Sequence, residues 1–156
     1  MKTVFSNPKS KIENRKFLNM YPAELVAPMT HDLLSAGFES LETPQEVTEV
    51  LGNQSGTALL VVNSVCGCAA AMARPGVKIA LQNDKQPEKL YTVFAGVDKD
   101  ATSKAREYLL PYPPSSPAIA LFKDGRLVHF LERHHIEGRS AMMIAENLKA
   151  AFNEFC

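Results

Sequence analysis

From Thr57 to Val62 the chain reads Thr-Ala-Leu-Leu-Val-Val, without one charged residue and with three β-branched side chains. An amphipathic helix or a half-exposed strand would interrupt such a run with polar residues, so it predicts a strand buried on both faces, as in a central parallel or mixed sheet. Leu90–Val97 predicts a second buried strand. Helix signals lie between and around these runs. Residues 22–37 carry Leu25, Val26, Met29, Leu33 and Leu34, with Gly37 as the stop. Thr43-Pro44-Gln45-Glu46 predicts a helix start: Thr43 caps, Pro44 tolerates the first position and Glu46 closes a capping box. Val47, Val50 and Leu51 give that helix an apolar face, and Gly52 ends it. Ala69–Ala73 are good helix formers, whereas Pro75 and Gly76 predict a kink or interruption before the helix resumes from Ile79 to Leu81.

The second half continues the alternation. Asp98 or Asp100 is placed to cap a helix over residues 100–110. Pro111, Pro113, Pro114 and Pro117 read as a rigid connector. Ala118–Phe122 and Leu127–Leu131 flank Lys123-Asp124-Gly125-Arg126, and an Asp-Gly pair between apolar runs predicts a hairpin. A last helix runs from about Ser140 to Phe155, with Ile144, Leu148, Ala151, Phe152 and Phe155 on one face. A short strand near Phe38–Leu41 fits as well. This order predicts an α/β fold with a mixed sheet, helices on both faces and an antiparallel hairpin at its edge.

The chain has 156 residues, enough for one domain with a sizeable core. Formal net charge is zero, which argues against a dedicated nucleic-acid binder, because phosphate neutralisation needs clustered Lys and Arg. Charge is uneven, however. Lys2, Lys9, Lys11, Arg15 and Lys16 face only Glu13, so residues 1–19 carry +4 and the remainder −4. Residues 1–19 read as a basic, flexible extension and residues 20–156 as a single domain. The first twenty residues hold no apolar run long enough for a secretory signal, and no stretch of about eighteen apolar residues exists to span a membrane. The expected compartment is the cytoplasm, where thiols stay reduced.

Three cysteines are an odd number, which fits a closed disulfide framework poorly. Two are separated by one glycine, in Cys66-Gly67-Cys68, where a buried strand gives way to a helix. Free N–H groups and the dipole at a helix N-terminus favour a thiolate, lowering a thiol pKa from roughly 8.5 to as little as about 3.5–7.5. Cys66 lies earlier in the turn, so it is assigned as the attacking nucleophile and Cys68 as the resolving thiol. A disulfide between residues two apart needs a bent backbone, which Gly67 permits, and the small strained ring should exchange readily. Two other readings stay open. The cysteines are inert core residues, or they bind copper or zinc with His134 and His135 as further ligands. Adjacent histidines do not easily face one site, and a solvated turn beside Glu132 and Arg133 accounts for them more simply. Pro117 follows Ser115 and Ser116 and precedes a predicted strand. It reads as an ordinary turn proline, or, with a cis bond after Ser116, as a platform of open backbone groups for an extended partner. Cys156 reads as an exposed terminal thiol or a second redox partner.

Several longer blocks are more specific than the cysteine spacing. They are Asn63-Ser64-Val65-Cys66-Gly67-Cys68-Ala69, Ala73-Arg74-Pro75-Gly76, Pro113-Pro114-Ser115-Ser116-Pro117 and Leu121-Phe122-Lys123-Asp124-Gly125, followed by His134-His135-Ile136-Glu137-Gly138-Arg139. With Met20-Tyr21-Pro22 they make the chain after its basic tail resemble the bacilliredoxins, small bacterial proteins with a Cys-Gly-Cys motif. The resemblance implies a thioredoxin-like fold with Pro117 at a cis position beside the cysteines. It implies substrate contacts at Gly67, Ser116 and Pro117. It also implies removal of bacillithiol, a low-molecular-weight thiol, from S-thiolated proteins: Cys66 takes the bacillithiol, and Cys68 or a second bacillithiol releases it. Bacillithiol is then an exchanging thiol rather than a bound cofactor, and no metal is implied. Some members resemble disulfide isomerases in activity. Residues 1–19 precede the usual family start.

Overall fold

The computed structural model describes residues 21–156; the expected basic extension, residues 1–19, lies outside them. In chain order the elements are α1 (Ala23–Leu34), β1 (Glu39–Ser40), α2 (Pro44–Leu51), β2 (Thr57–Asn63), a π-helical turn (Ala69–Ala73) that runs into α3 (Arg74–Ala80), β3 (Lys89–Phe94), α4 (Lys99–Glu107), β4 (Ala118–Lys123), β5 (Arg126–Leu131), the single turn α5 (Arg133–Ile136) and α6 (Ala141–Phe155). The sheet order is β1-β3-β2-β4-β5. β1 and β2 pair with β3 in parallel; β4 pairs antiparallel with β2 and with β5.

β2 is the centre of this sheet, and every residue in it is buried. Its alternating side chains feed two separate cores. Leu59 and Val61 join Leu33, Val77, Ile119, Ile144, Leu148 and Phe152 on the side covered by α1, α3 and α6. Ala58, Leu60 and Val62 join Val47, Leu51, Val93, Ala101 and Ala105 on the side covered by α2 and α4. Burying a Leu or Val side chain fully is worth about 1.5–3 kcal/mol, so the uninterrupted apolar run is what holds the two layers on one strand.

The local signals act as their chemistry dictates. Thr43 accepts from the Glu46 N–H while the Glu46 carboxylate accepts from the Thr43 N–H, which completes the capping box. The hairpin turns through Asp124 (φ 49) and Gly125 (φ 78), the two positive-φ positions that a tight primed turn demands. Ser140 caps α6 by accepting from the Met143 N–H. β3 stops at Phe94, short of the expected Val97, because the chain turns at Gly96 with φ +82. α4 covers 99–107 rather than 100–110, and the connector after it holds two cis bonds, Leu110–Pro111 and Ser116–Pro117.

One expectation is corrected. Pro75 and Gly76 do not interrupt the helix that follows the cysteines. The π-helical turn precedes them, so Pro75 falls in the first turn of the new α segment, where a missing N–H removes nothing. Gly76 is buried for a packing reason: a Cβ there would lie 2.8 Å from Ile144 Cγ2 and 3.0 Å from the Ala141 carbonyl oxygen. The glycine lets α3 approach α6 closely.

Candidate active site at the strand ends

Three chain segments converge at one end of the sheet. β2 finishes at Asn63 and leads through Ser64 and Val65 to Cys66, after which the chain is helical from Gly67 onward. β4 runs antiparallel to β2, with Ala118 opposite Val62, so Ser116 and Pro117 enter beside the cysteine turn. β5 runs antiparallel to β4, with Leu131 opposite Ile119, so its exit delivers Arg133 to the same place.

Cys66 occupies the position before the first helical residue, and its carbonyl accepts from the N–H groups of Ala69 and Ala70. Its own N–H donates to Ser64 Oγ at 3.2 Å. Partial burial pushes the Cys66 thiol up. Hydrogen bonds to its sulfur from the Ser64 hydroxyl, the N–H groups of Ala69 and Cys68 and the Cys68 thiol outweigh that, and the net displacement is downward. Cys68 moves the other way. Desolvation raises it, as do the hydrogen bond and negative charge of Cys66 and the hydrogen bond to Glu137, while the Arg133 cation partly opposes them. The two sulfurs thus divide one charge unequally, with Cys66 the more acidic.

Beneath the turn lies a buried cation that periodicity and spacing do not reveal. Arg74 is only 5 % exposed. Its Nη1 donates to Asn63 Oδ1 at 3.0 Å and to the Ser64 carbonyl at 3.2 Å, and its Nε pairs with Asp32, which Lys78 also contacts. Asn63 Oδ1 also accepts from the Ser64 N–H, and Asn63 Nδ2 donates to the Met29 carbonyl. This network fixes Ser64, and Ser64 in turn touches Cys66. In the sequence this arginine stands out only as part of the block Ala73-Arg74-Pro75-Gly76, and nothing in that block announces its burial.

Above the turn stands Arg133. Its Nε donates to Glu137 Oε1 at 2.8 Å, its Nη1 to the Ser116 carbonyl at 3.3 Å and its Nη2 to Cys68 Sγ at 3.7 Å. One guanidinium therefore ties the residue before Pro117 to the second cysteine. Its backbone N–H donates to Ser115 Oγ at 2.7 Å. Glu137 Oε1 accepts from Cys68 Sγ at 3.5 Å. Pro117 is buried and its bond to Ser116 is cis, but the Ser116 carbonyl is already engaged by Arg133, so it is not among the open groups expected there. Gly67 is exposed; its φ lies outside the left-handed region and a Cβ would meet nothing within 4 Å among the described residues. The glycine's conformational freedom goes unused with the cysteines free, and what it leaves is an open surface above the turn.

His134 and His135 lie together, ring centroids 3.9 Å apart, and with Glu132 bring one ligand atom each to within 4.8 Å of one another. The expectation that neighbouring histidines do not easily face one site is corrected: the α5 turn folds His135 back, so that its Nδ1 accepts from the Glu132 N–H. That bond leaves the neutral ring's proton on Nε2, the wrong state for a metal ligand. The cluster joins neither cysteine. Cys156 lies beyond reach of the site. It neighbours Thr57, Lys123, Glu88 and Lys85 at the start of β2, and β2 is seven residues long, roughly 20 Å.

Comparison with known proteins fits this geometry. Residues 21–156 match the family model described as disulphide isomerase. A bacilliredoxin from Cytophaga hutchinsonii is 64 % identical over 135 residues, covering 86 % of this chain and 99 % of the relative. One from Bacillus cereus is 52 % identical over 137 residues (87 % and 95 %), and one from Halalkalibacterium halodurans 50 % identical over 136 residues (87 % and 94 %). The solved structure of oxidised mitochondrial thioredoxin 3 from Saccharomyces cerevisiae aligns with a TM-score of 0.52 at 15 % identity, over 76 % of this chain and 95 % of that one, a likeness of fold. The chain is a member of the bacilliredoxin family, a thiol–disulfide oxidoreductase built on a thioredoxin-like sheet.

Proposed function

We propose that this protein reduces mixed disulfides between proteins and a low-molecular-weight thiol, bacillithiol, in the cytoplasm, with Cys66 as nucleophile and Cys68 as resolving thiol. The observation that carries this is the place of Cys66, directly before the first helical residue with its N–H on the Ser64 hydroxyl, where its thiol is displaced downward while that of Cys68 is displaced upward. The Cys66 thiolate attacks the small-thiol sulfur of the mixed disulfide. A new S–S bond forms, the protein's sulfur leaves as a thiolate and takes a proton from water. Cys68 then attacks Cys66, the small thiol departs reduced, and Cys66 and Cys68 are left oxidised as a disulfide. The open surface over Gly67 and the edge formed by Ser116 and Pro117 accommodate the substrate.

The experiment is mass spectrometry of Cys66→Ser and Cys68→Ser proteins offered a bacillithiolated substrate, with a glutathionylated one alongside. Cys68→Ser should accumulate one bacillithiol on Cys66, and Cys66→Ser none. Thiolation of Cys66→Ser but not of Cys68→Ser would reverse the assignment. Equal rates with both substrates would remove bacillithiol as the preferred thiol. Disulfide isomerisation is a second reading, favoured by the description of the matching family model. Recovery of activity from a scrambled multi-disulfide protein by Cys68→Ser as well as wild type supports it, because isomerisation needs only the attacking thiol.

A further inference from the structure

Cys68 has one proton and two acceptors for it, the Cys66 sulfur and the Glu137 carboxylate. A cation faces the same sulfur, since Arg133 Nη2 lies 3.7 Å away. Glu137 and Arg133 are themselves locked together at 2.8 Å. Cys68 Sγ therefore lies against a fixed pair of opposite charges carried by α5 and the residue that ends it. Among the described residues, the charged groups that bear on Cys68 are Cys66 on its own turn and this pair.

We propose that Arg133 and Glu137 time the resolving step: Glu137 keeps Cys68 a thiol while Cys66 carries the charge, and Arg133 stabilises the Cys68 thiolate once the Cys66 sulfur is tied up in a mixed disulfide. This rests on the roles proposed above for the two cysteines. With Cys66 ionised, its charge repels a second thiolate and its sulfur competes for the Cys68 proton. Thiolation of Cys66 removes both effects at once. What remains is one carboxylate against one guanidinium, and the guanidinium is the group that gains as the sulfur becomes negative. Glu137 stays ionised throughout, held down by its hydrogen bond to Arg133, so it is a poor acceptor for a thiol proton. That proton goes to solvent base. The Cys68 thiolate attacks Cys66 Sγ, the bond from Cys66 to the small thiol breaks with its electron pair on the departing sulfur, and that sulfur is protonated by water. The small thiol is reduced and the cysteine pair oxidised, so the step balances without another reactant. Because both groups touch the reacting sulfur, both are catalytic residues for resolution, though neither contacts Cys66 as a hydrogen-bond partner.

The test uses the full chain with Cys156→Ser and an uncharged chromogenic disulfide, dipyridyl disulfide, followed by stopped flow. Attack by Cys66 releases the first thione; attack by Cys68 releases the second. A unit charge within about 4 Å in water moves a pKa by roughly half to one unit, three- to tenfold in thiolate population below that pKa and about two- to fourfold in rate, because nucleophilicity falls with the pKa. Arg133→Gln should raise the apparent pKa of the second phase by this amount, Glu137→Gln should lower it, and Arg133→Lys should stay nearer wild type. Displacements of the same sign in both charge-removing variants, or none, overturn the proposal while the first phase stands. A slower second phase in Glu137→Gln would make Glu137 the base rather than the brake. A wild-type protein lacking the first phase would instead overturn the function on which this rests. Circular dichroism of each variant excludes unfolding as the cause.

Discussion

Replacing Arg74 with Met keeps the volume and removes the cation beneath the cysteine turn. Nη1 makes two charge-assisted hydrogen bonds, to Asn63 and to the Ser64 carbonyl, each worth about 1.5–3 kcal/mol. Removing a buried cation also relieves its own desolvation, which offsets part of the loss. Asp32 is not stranded, because it keeps Lys78 and a third of its side chain is exposed. The net loss is about 2–4 kcal/mol, or roughly 4–16 °C in Tm for a chain of this size. Urea unfolding of the reduced protein measures the first figure. The second consequence is chemical. With Ser64 no longer anchored, the hydroxyl that lowers the Cys66 pKa drifts, so Cys66 moves toward the ordinary thiol value near 8.5 and alkylates more slowly at neutral pH. Arg74→Lys keeps a charge but not the planar fork and should fall between the two. A stability loss below about 1 kcal/mol together with an unmoved alkylation profile would refute the reasoning, since it would mean that neither the turn nor the sulfur depends on this cation.

Gly76→Ala should destabilise: a Cβ 2.8 Å from Ile144 Cγ2 costs about 1–3 kcal/mol of overpacking, against roughly 0.5–1 kcal/mol gained from leaving glycine in a helix. Denaturant midpoints check it, and an unchanged or raised stability would contradict the close approach of α3 to α6. Gly67→Ala should leave the stability of the reduced protein within about 1 kcal/mol of wild type, because its Cβ meets nothing and its φ suits any residue; a larger loss by the same measurement would mean that the turn needs glycine even with both cysteines free. Since the folded pKa of Cys66 is lowered, its ionisation stabilises the fold fully above the ordinary thiol range near 8.5, and that contribution is lost as pH falls through the lowered value. The stability difference between wild type and Cys66→Ser should shrink across that window, and a difference independent of pH would count against a native-state thiolate.

Signals that act over a few residues were readable from the chain. The capping box at Thr43 and Glu46, the Asp124-Gly125 turn and the doubly buried run of β2 each depend on local chemistry, and all three form. The meeting of a strand end with a helix start at Cys66 was legible for the same reason. What surrounds the sulfurs was not. Arg133 and Glu137 reach Cys68 across 65 and 69 positions of sequence, and only the antiparallel return of β4 and β5 brings them there. Arg74 reads as an ordinary helix residue until its burial is known. The π-helical turn was hidden because alanines favour any helical register, so nothing in Ala69–Ala73 announces that the next proline will fall harmlessly at the start of a new segment.

The remoteness of Cys156 has a practical consequence. A bulky tag or a surface tether on its sulfur would sit at the foot of the central strand, while the Cys66 turn faces outward from the other end. The two thiols also differ in acidity, Cys156 being raised by burial and Cys66 lowered. With Cys66 and Cys68 first closed as their own disulfide, the terminal thiol can be derivatised alone by a reagent that leaves disulfides intact, and the pair then reduced. The molecule thus carries an attachment point that leaves the Cys66 turn free when the protein is held on a solid support.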